Sequence, residues 1–152
     1  MPAITAQQIK ELRNKTNVSV MMCKRALEES EGDVEKAIEF LRKEGIKIAG
    51  EKASRALRAG IIDAYIHNNK QIGVMLELRS ESDFVSRNDD FRALAHEISM
   101  HIAAFSPSDV SELMEQSYIK NPEITIKDYI QEHIQKFGEN IDIVRFARYS
   151  VL

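Results

Sequence analysis

Residues 72–79 alternate strictly between two kinds of side chain. One face of an extended chain would carry Ile72, Val74, Leu76 and Leu78, and the other would carry Gly73, Met75, Glu77 and Arg79. A period of two residues is typical of a β-strand that buries one face. The sequence therefore predicts a strand here, paired with residues 61–67 through the turn residues 68–71.

The segment before this hairpin has a helical pattern instead. Residues 4–45 predict three short helices, because Thr5, Ser19 and Asp33 are each placed to cap a helix start. The spacing of Thr5 from the glutamine three positions later is that of a capping box. Gly45 is well placed to end the third helix. The basic residues that follow predict a connector that is helical in part at most.

Helical patterns return after the hairpin, over residues 91–105, and Pro107 ends that run. Its apolar stripe consists of Phe91, Leu94, Ala95, Ile98, Ile102 and Phe105. Thr125 is placed to cap a further helix that Gly138 closes, and residues 141–151 predict a third strand. The elements together predict an α+β fold, in which a three-helix bundle precedes a small, mostly antiparallel three-stranded sheet packed with helices. The predicted domains are residues 1–46, a linker over 47–60, and residues 61–152.

Composition limits the classes of function that need to be considered. The chain has 152 residues, a net charge of −3 and a pI of about 5.8, which does not indicate a general nucleic-acid or membrane-surface binder. Cys23 is the single cysteine, so no intrachain disulfide can form, as is usual in a reducing cytoplasm. We find no signal-peptide pattern and no run of about 18 apolar residues, and we expect a soluble cytoplasmic protein.

Catalytic and metal-binding motifs are weakly supported by the sequence. His96 and Glu97 suggest a zinc protease, but His101 lies five positions after His96, about 140° around a helix. We therefore expect both histidines at solvent-facing or edge positions. The acidic residues near Phe84 lack the spacing of a calcium loop, and no phosphate-binding glycine motif is present. We predict no enzyme activity, no cofactor and no metal site, and we keep a histidine/carboxylate metalloenzyme as an alternative.

Residues 80–88 join the predicted strand to the long helix and place Phe84 among acidic and hydroxyl side chains. The residues alone leave two interpretations open. In one, Ser82 or Ser86 caps the helix and Phe84 packs beneath it. In the other, Phe84 is exposed to a partner, since an aromatic flanked by charges is typical of a binding hot spot. A hydrophobic staple fails, because a cap at Ser86 would put Asp90 at the position that requires an apolar side chain.

Several separated motifs, taken in order, resemble the translation elongation factor Ts family over nearly the whole chain. The matching residues are Leu12-Arg13, residues 16–27, Gly32-Asp33, Ala37-Ile38, residues 41–43, residues 65–67, Gly73-Val74, residues 82–85, Arg87-Asn88, Phe91, residues 100–103, residues 138–141 and Arg145-Phe146. The resemblance implies that the N-terminal bundle is a ubiquitin-associated-like domain. It also implies a guanine nucleotide exchange factor that binds elongation factor Tu in its GDP-bound and then its nucleotide-free form, without covalent chemistry.

The resemblance also implies which residues contact that partner. The exchange motif would consist of Ser82, Asp83, Phe84 and Val85, with Asp83 and Phe84 inserted near the site that binds Mg²⁺ and the nucleotide. Arg13, Met21 and Lys24 would be contacts of the N-terminal domain. Helix packing or a solvated face explains these three residues as well, and explains Met21 more readily. No direct contact with nucleic acid or membrane is implied.

The chain departs from the family pattern at several places. Asn17 and Ser19 stand where glycines are usual, and Ser82 replaces a threonine while keeping its hydroxyl. The usual helical insertion is much reduced, and we expect no second copy of the core after Leu152. Short members of the family are homodimers, which implies a homodimer here, and a free edge of the third strand offers one route to it. A scaffold protein that binds without exchange activity is the alternative.

Overall fold

The computed structural model describes residues 3–152. Its elements in chain order are α1 (Ala6–Thr16), α2 (Val20–Glu29), α3 (Val34–Lys52), β1 (Ala59–Ile66), β2 (Ile72–Ser80), α4 (Asp83–Ser86), α5 (Asp89–Phe105), α6 (Val110–Glu115), β3 (Ser117–Tyr118), β4 (Asn121–Thr125), α7 (Ile126–Phe137) and β5 (Ile141–Ser150). They form two compact units. The helical unit comprises the residues up to Ala53 with Gln131–Gly138, and the sheet unit comprises Ser54–Ile130 with Glu139–Leu152. The predicted α+β class is confirmed, and the division at residues 46 and 60 stays a prediction.

Helices α1, α2 and α3 of the helical unit begin at the predicted caps. Thr5 and Gln8 form the capping box, with the Gln8 N–H donating to Thr5 at 3.2 Å and the Thr5 N–H donating to the Gln8 side chain at 2.8 Å. Ser19 and Asp33 each accept an N–H from the first turn of the helix that follows. The helices bury an apolar core made of Leu12, Val18, Cys23, Ala26, Leu27, Ala37 and Leu41.

Helix α3 does not end at Gly45, so that prediction is wrong. The helix continues to Lys52 and includes the first six residues of the predicted linker. A glycine ends a helix by adopting a positive φ, as Gly138 does after α7 with φ 71°. Gly45 instead keeps a helical conformation and is buried, where an added Cβ would lie 3.2 Å from Gln135 Oε1. A glycine at this position allows close packing.

The three long strands form an antiparallel sheet in the order β1-β2-β5. The register pairs Leu78 with Ile61 on one side and with Ile143 on the other. The alternation predicted for residues 72–79 is confirmed, since Val74, Leu76 and Leu78 are all buried. Helix α5 packs against this inner face, where the fully buried side chains of its stripe complete the core.

The last residue of that stripe does not behave as predicted. Phe105 is 51% exposed, although it stacks on His101 with the ring centroids 4.8 Å apart. Helix α5 ends there because Ser106 takes a left-handed φ of 48° just before Pro107. Arg148 on β5 then donates to the carbonyl of Ala103 at 2.9 Å, which satisfies one of the free carbonyls at the helix end.

A second, two-stranded sheet formed by β3 and β4 was not predicted. Its turn is fixed to α5 by His101, whose Nδ1 accepts the N–H of Ile119 at 3.2 Å. Glu97 accepts from the Tyr118 hydroxyl at 3.1 Å and from Lys120 at 2.7 Å. Tyr118 stacks on Tyr129 at 4.2 Å between centroids, and burial raises the pKa of Tyr118. Side-chain contacts thus hold this short hairpin in place, since its two strands pair at only two positions.

The outer face of the sheet is the face opposite α5, and it is apolar around one carboxylate, that of Glu77. Glu77 accepts hydrogen bonds from Arg79 at 2.6 Å and from Arg145 at 2.8 Å, and these bonds hold its pKa below the ordinary value. Four large side chains on this face are more than half exposed. They are Ile62, Ile66, Met75 and Tyr149. None of the described helices combines the length and the apolar character needed to span a membrane.

Candidate functional site

The junction between β2 and α5 contains a separate short helix, α4, which the sequence analysis did not predict. Ser82 is its N-cap, and the Ser82 hydroxyl accepts the N–H of Val85 at 3.4 Å. Asn88, and not Ser86, caps α5 by accepting the N–H of Asp90 at 2.8 Å. Two helix starts therefore lie within seven residues, and the chain turns sharply between them.

Helix α4 exposes two residues of the predicted exchange motif, Asp83 and Phe84, and buries a third, Val85. Asp83 is exposed, and Phe84 is 85% exposed. Val85 and Ser86 are buried, and the Ser86 hydroxyl donates to the Asp83 carbonyl at 3.2 Å. The interpretation in which Phe84 packs beneath the long helix is therefore wrong. We call residues 82–85 the tip.

The base of the tip is bonded to a segment more than fifty residues further along the chain. One oxygen of Glu139 accepts the N–H of Ser82 at 2.9 Å, and the other accepts its hydroxyl at 2.6 Å. Glu81 accepts the N–H of Asn140 at 2.8 Å. Asn140 also donates its side-chain amide to the Arg55 carbonyl at 3.0 Å, and the Arg55 guanidinium lies 3.6 Å from Glu81. We call the four residues 81, 82, 139 and 140 the brace.

Sequence reasoning missed the part that Glu139 and Asn140 play in the site. Both lie in a segment used for the family resemblance, yet nothing local indicates what they contact. The available signal was weak: Gly138 ends α7 with a positive φ, and the polar pair follows it directly before β5. A pair of polar residues there could equally have faced solvent.

The other predicted contact residues lie in the helical unit. Met21 is 83% exposed near the start of α2, which excludes helix packing and leaves a solvated face or a partner contact as interpretations. Lys24 is exposed three positions later, and residues at this spacing share one helix face. Arg13 is exposed in the last turn of α1. Cys23 is buried beside them, and burial raises the pKa of its thiol against the opposing effects of Thr16 and Arg13.

The two histidines of the zinc-protease hypothesis have separate surroundings. His96 is exposed and contacts Asp63 at 3.2 Å. His101 is fully buried, contrary to prediction, and its Nε2 lies 2.9 Å from Gln116 Oε1. Within residues 3–152, no three His, Cys, Asp or Glu side chains are grouped so that they could hold a metal ion.

Comparison with known proteins gives the chain its family. Residues 81–151, which span α4 to β5, match the protein family described as "Elongation factor TS". Elongation factor Ts of Thermodesulfovibrio yellowstonii is 42% identical, with 98% of this chain and 96% of the relative aligned. The proteins of the same name from Fervidobacterium nodosum and Carboxydothermus hydrogenoformans are 40% and 39% identical, each over 97% of this chain and over 98% and 89% of the relative.

The fold, the exposed tip and these similarities define a factor of translation elongation. The chain belongs to the elongation factor Ts family. Each of the three alignments covers 193 positions, more than the 152 residues of this chain, so the relatives contain residues that this chain lacks.

Proposed function

We propose that this chain is a guanine nucleotide exchange factor that binds elongation factor Tu with GDP and promotes GDP release in the cytoplasm. The observation that carries the proposal is the 85% exposure of Phe84 on a helix whose next two residues are buried. Keeping a large aromatic in water forgoes about 1.5–3 kcal/mol of burial free energy. A rigidly mounted aromatic of this kind has the form of an interface hot spot.

Two residues of the tip, Phe84 and Asp83, would have different roles in nucleotide release. Phe84 displaces apolar side chains of the partner close to its nucleotide site. Asp83, which is exposed beside Phe84, disturbs the groups that order Mg²⁺ around GDP. Because the factor and the nucleotide each weaken the binding of the other, GDP leaves faster when the factor is bound. The mechanism needs no covalent chemistry and no cofactor, and the protein is not an enzyme in that sense.

The helical unit would supply a second contact with the same partner. Met21 and Lys24 share an exposed face of α2, and Arg13 adds a positive charge at the end of α1. An exposed methionine beside flexible cations suits an interface that adapts to its partner. We assign this surface to affinity, and the tip to nucleotide release.

Release of fluorescently labelled GDP from elongation factor Tu tests the proposal. Wild-type protein is expected to accelerate release, and Phe84→Ala is expected to lose most of the acceleration while remaining folded. Ile119→Ala is the control, since it also removes an exposed apolar side chain from the sheet unit, outside the tip. Binding to elongation factor Tu without any change in GDP release would reject the proposal and favour the scaffold alternative.

We further propose a homodimer that forms through the outer face of the sheet. An isologous contact places each surface against an identical copy, so any charge it buries must already be neutralised. Glu77 meets this requirement because Arg79 and Arg145 pair with it within one chain, and the second positive charge of the group stays near solvent on Arg145, whose side chain is 79% exposed. The exposed apolar residues around it, Met75 among them, supply area to bury. The free edge of β5, predicted from the sequence, would lie beside this face.

Molar mass from light scattering at several concentrations tests the dimer. Met75→Lys puts a charge on the outer face and is expected to yield monomers. Met21→Lys is the matched control, because it makes the same change at an exposed methionine of α2. A wild-type protein that stays monomeric, or a Met75→Lys protein that stays dimeric, would contradict this interface.

A further inference from the structure

The two carboxylates of the brace cross between two chain segments. Glu139, between α7 and β5, accepts the backbone N–H that precedes α4. Glu81, between β2 and α4, accepts the backbone N–H of Asn140 that precedes β5. In each segment, a carboxylate therefore accepts a hydrogen bond from a backbone N–H of the other segment. This is the reciprocal logic of a capping box, applied here to residues 57 and 59 positions apart.

Glu139 makes the closer contact of the two acids with the tip. Its carboxylate receives both donors of Ser82, the N–H at 2.9 Å and the hydroxyl at 2.6 Å. Hydrogen bonds to an ionised carboxylate are shorter and roughly twice as strong as neutral ones. Because its hydrogen is donated to Glu139, the Ser82 hydroxyl oxygen is left to act as an acceptor, and it accepts the N–H of Val85 at 3.4 Å.

Helix α4 depends on this arrangement because it has little stability of its own. It is four residues long, and isolated helices shorter than about 12 residues are marginal in water. The Ser82 cap fixes its first turn, and that turn contains Asp83 and Phe84. Burial of Val85 anchors one side of the turn. The direction of the exposed side is set by Ser82, which Glu139 holds.

We propose that Glu139 is a positioning residue of the exchange tip. It acts through Ser82, fixes the first turn of α4, and thereby keeps Asp83 and Phe84 in one orientation before the partner binds. The inference rests on the proposed exchange function only for its consequence in GDP release. When only a fraction of the molecules holds the competent orientation, apparent affinity falls by that fraction.

Amide hydrogen exchange of the free protein tests the structural part without any partner. In Glu139→Ala, exchange at the Ser82 and Val85 amides is expected to accelerate by about tenfold or more, the factor that corresponds to 1.4 kcal/mol. Amides that pair β1 with β2 are expected to keep their protection. Glu97→Ala is the control, since Glu97 is another carboxylate of the sheet unit that accepts two hydrogen bonds, here from Tyr118 and Lys120 of the β3–β4 hairpin.

A second variant guards against general loss of structure. Glu139→Gln keeps the shape and one acceptor oxygen, and an intermediate acceleration at Ser82 is expected. Unchanged exchange at Ser82 and Val85 in Glu139→Ala would overturn the proposal. Equal acceleration of the β1–β2 amides in both variants would also overturn it, because Glu139 would then support the whole unit and not the tip.

GDP release tests the functional part with a double-mutant cycle. Glu139→Ala and Ser82→Ala are each expected to reduce the acceleration about tenfold, and the double variant is expected to be no worse than either, since both act through the same cap. Additive losses would overturn the proposal by showing that Glu139 acts independently of Ser82. If wild-type protein fails to accelerate GDP release, the exchange function fails, and hydrogen exchange at Ser82 still decides whether Glu139 positions the tip.

Discussion

Phe84 and Phe91 lie seven positions apart and have opposite surroundings. Phe91 is fully buried in the first turns of α5, whereas Phe84 is 85% exposed on α4. We expect Phe91→Ala to lower the free energy of unfolding by about 3–5 kcal/mol, because it removes a core aromatic and leaves a cavity. Phe84→Ala is expected to change it by no more than about 0.5 kcal/mol, as surface substitutions do. Denaturant unfolding followed by circular dichroism measures both values.

These two variants also control for each other. A small loss at Phe84 combined with a large loss at Phe91 would show that the method resolves burial at this site. A loss of several kcal/mol at Phe84 would mean that its ring is buried in solution, and the exposed tip would be wrong.

His101 is expected to make the stability of the sheet unit depend on pH. Burial lowers its pKa below the ordinary value, against an opposing hydrogen bond with Gln116. Because Nδ1 accepts the Ile119 N–H, we assign the proton of the neutral ring to Nε2. Protonating Nδ1 would break that bond. The folded state therefore binds fewer protons than the unfolded chain between the lowered pKa and about 6.5.

The sign of the effect follows from that difference in bound protons. The contribution of neutral His101 to the free energy of unfolding is complete above a pH of about 6.5. The free energy of unfolding falls as the pH drops from there toward the lowered pKa. Unfolding at a series of pH values measures it. His101→Asn, which keeps an acceptor for Ile119, is expected to flatten this part of the profile. Equal profiles for wild type and His101→Asn would contradict the prediction.

At the scale of elements, the two glycines inside α3 give a matched pair. Gly50 has no neighbouring atom within 4 Å of an added Cβ, so Gly50→Ala is expected to stabilise the protein by about 0.5–1 kcal/mol through helix propensity. At Gly45 the Cβ would lie 3.2 Å from Gln135 Oε1, and the same change is expected to gain less or to destabilise. Denaturation midpoints compare the two, and an equal gain at both would show that Gly45 is not tightly packed.

The elements that could be predicted from the sequence are those whose own residues determine them. The alternation over residues 72–79 matched β2, and Ser19, Asp33 and Thr125 each cap a helix in the structure. Local chemistry was sufficient there, because a cap or a buried face involves neighbours in the chain. The two-stranded sheet of β3 and β4 was missed because β3 has two residues, too few for a period.

Other features could not be predicted from the sequence because they depend on tertiary contacts. Gly45 could not be recognised as a packing position, since Gln135 is ninety residues away. His101 was expected near solvent, and its burial depends on Gln116 and on the turn at Ile119. At the tip, residues 82–85 stay a prediction as the exchange motif, and the contact of Glu139 with Ser82 was missed because it forms only in the folded chain.

At the scale of the whole molecule, the two units offer two kinds of contact. The sheet unit presents the tip, and the brace bonds the base of the tip to the segment before β5. The helical unit presents Met21 and Lys24 on α2, where both side chains are exposed. A contact that binds one state of a partner more tightly shifts the equilibrium between its states, whereas a contact that binds both states equally adds affinity alone. This difference between the tip and the α2 surface predicts different consequences for substitutions in the two units.

That difference is measurable in a thermodynamic cycle of the factor, elongation factor Tu and GDP. If the proposed function holds, the factor weakens GDP binding by some ratio, and GDP must weaken binding of the factor by the same ratio, commonly about 5–150-fold in coupled systems. Calorimetric titration of the factor into GDP-bound and nucleotide-free elongation factor Tu gives that ratio. Phe84→Ala is expected to bring it close to one.

Met21→Ala is expected to weaken both titrations by the same factor and to leave the ratio unchanged, because uniform loss of affinity shifts no equilibrium between states. The two variants thus separate affinity from coupling within one experiment. A Met21→Ala protein with a reduced ratio, or a Phe84→Ala protein with the wild-type ratio, would mean that the tip does not distinguish the two states. Nucleotide release would then have to be assigned to the helical unit, since α2 provides the other exposed apolar contact proposed for the partner.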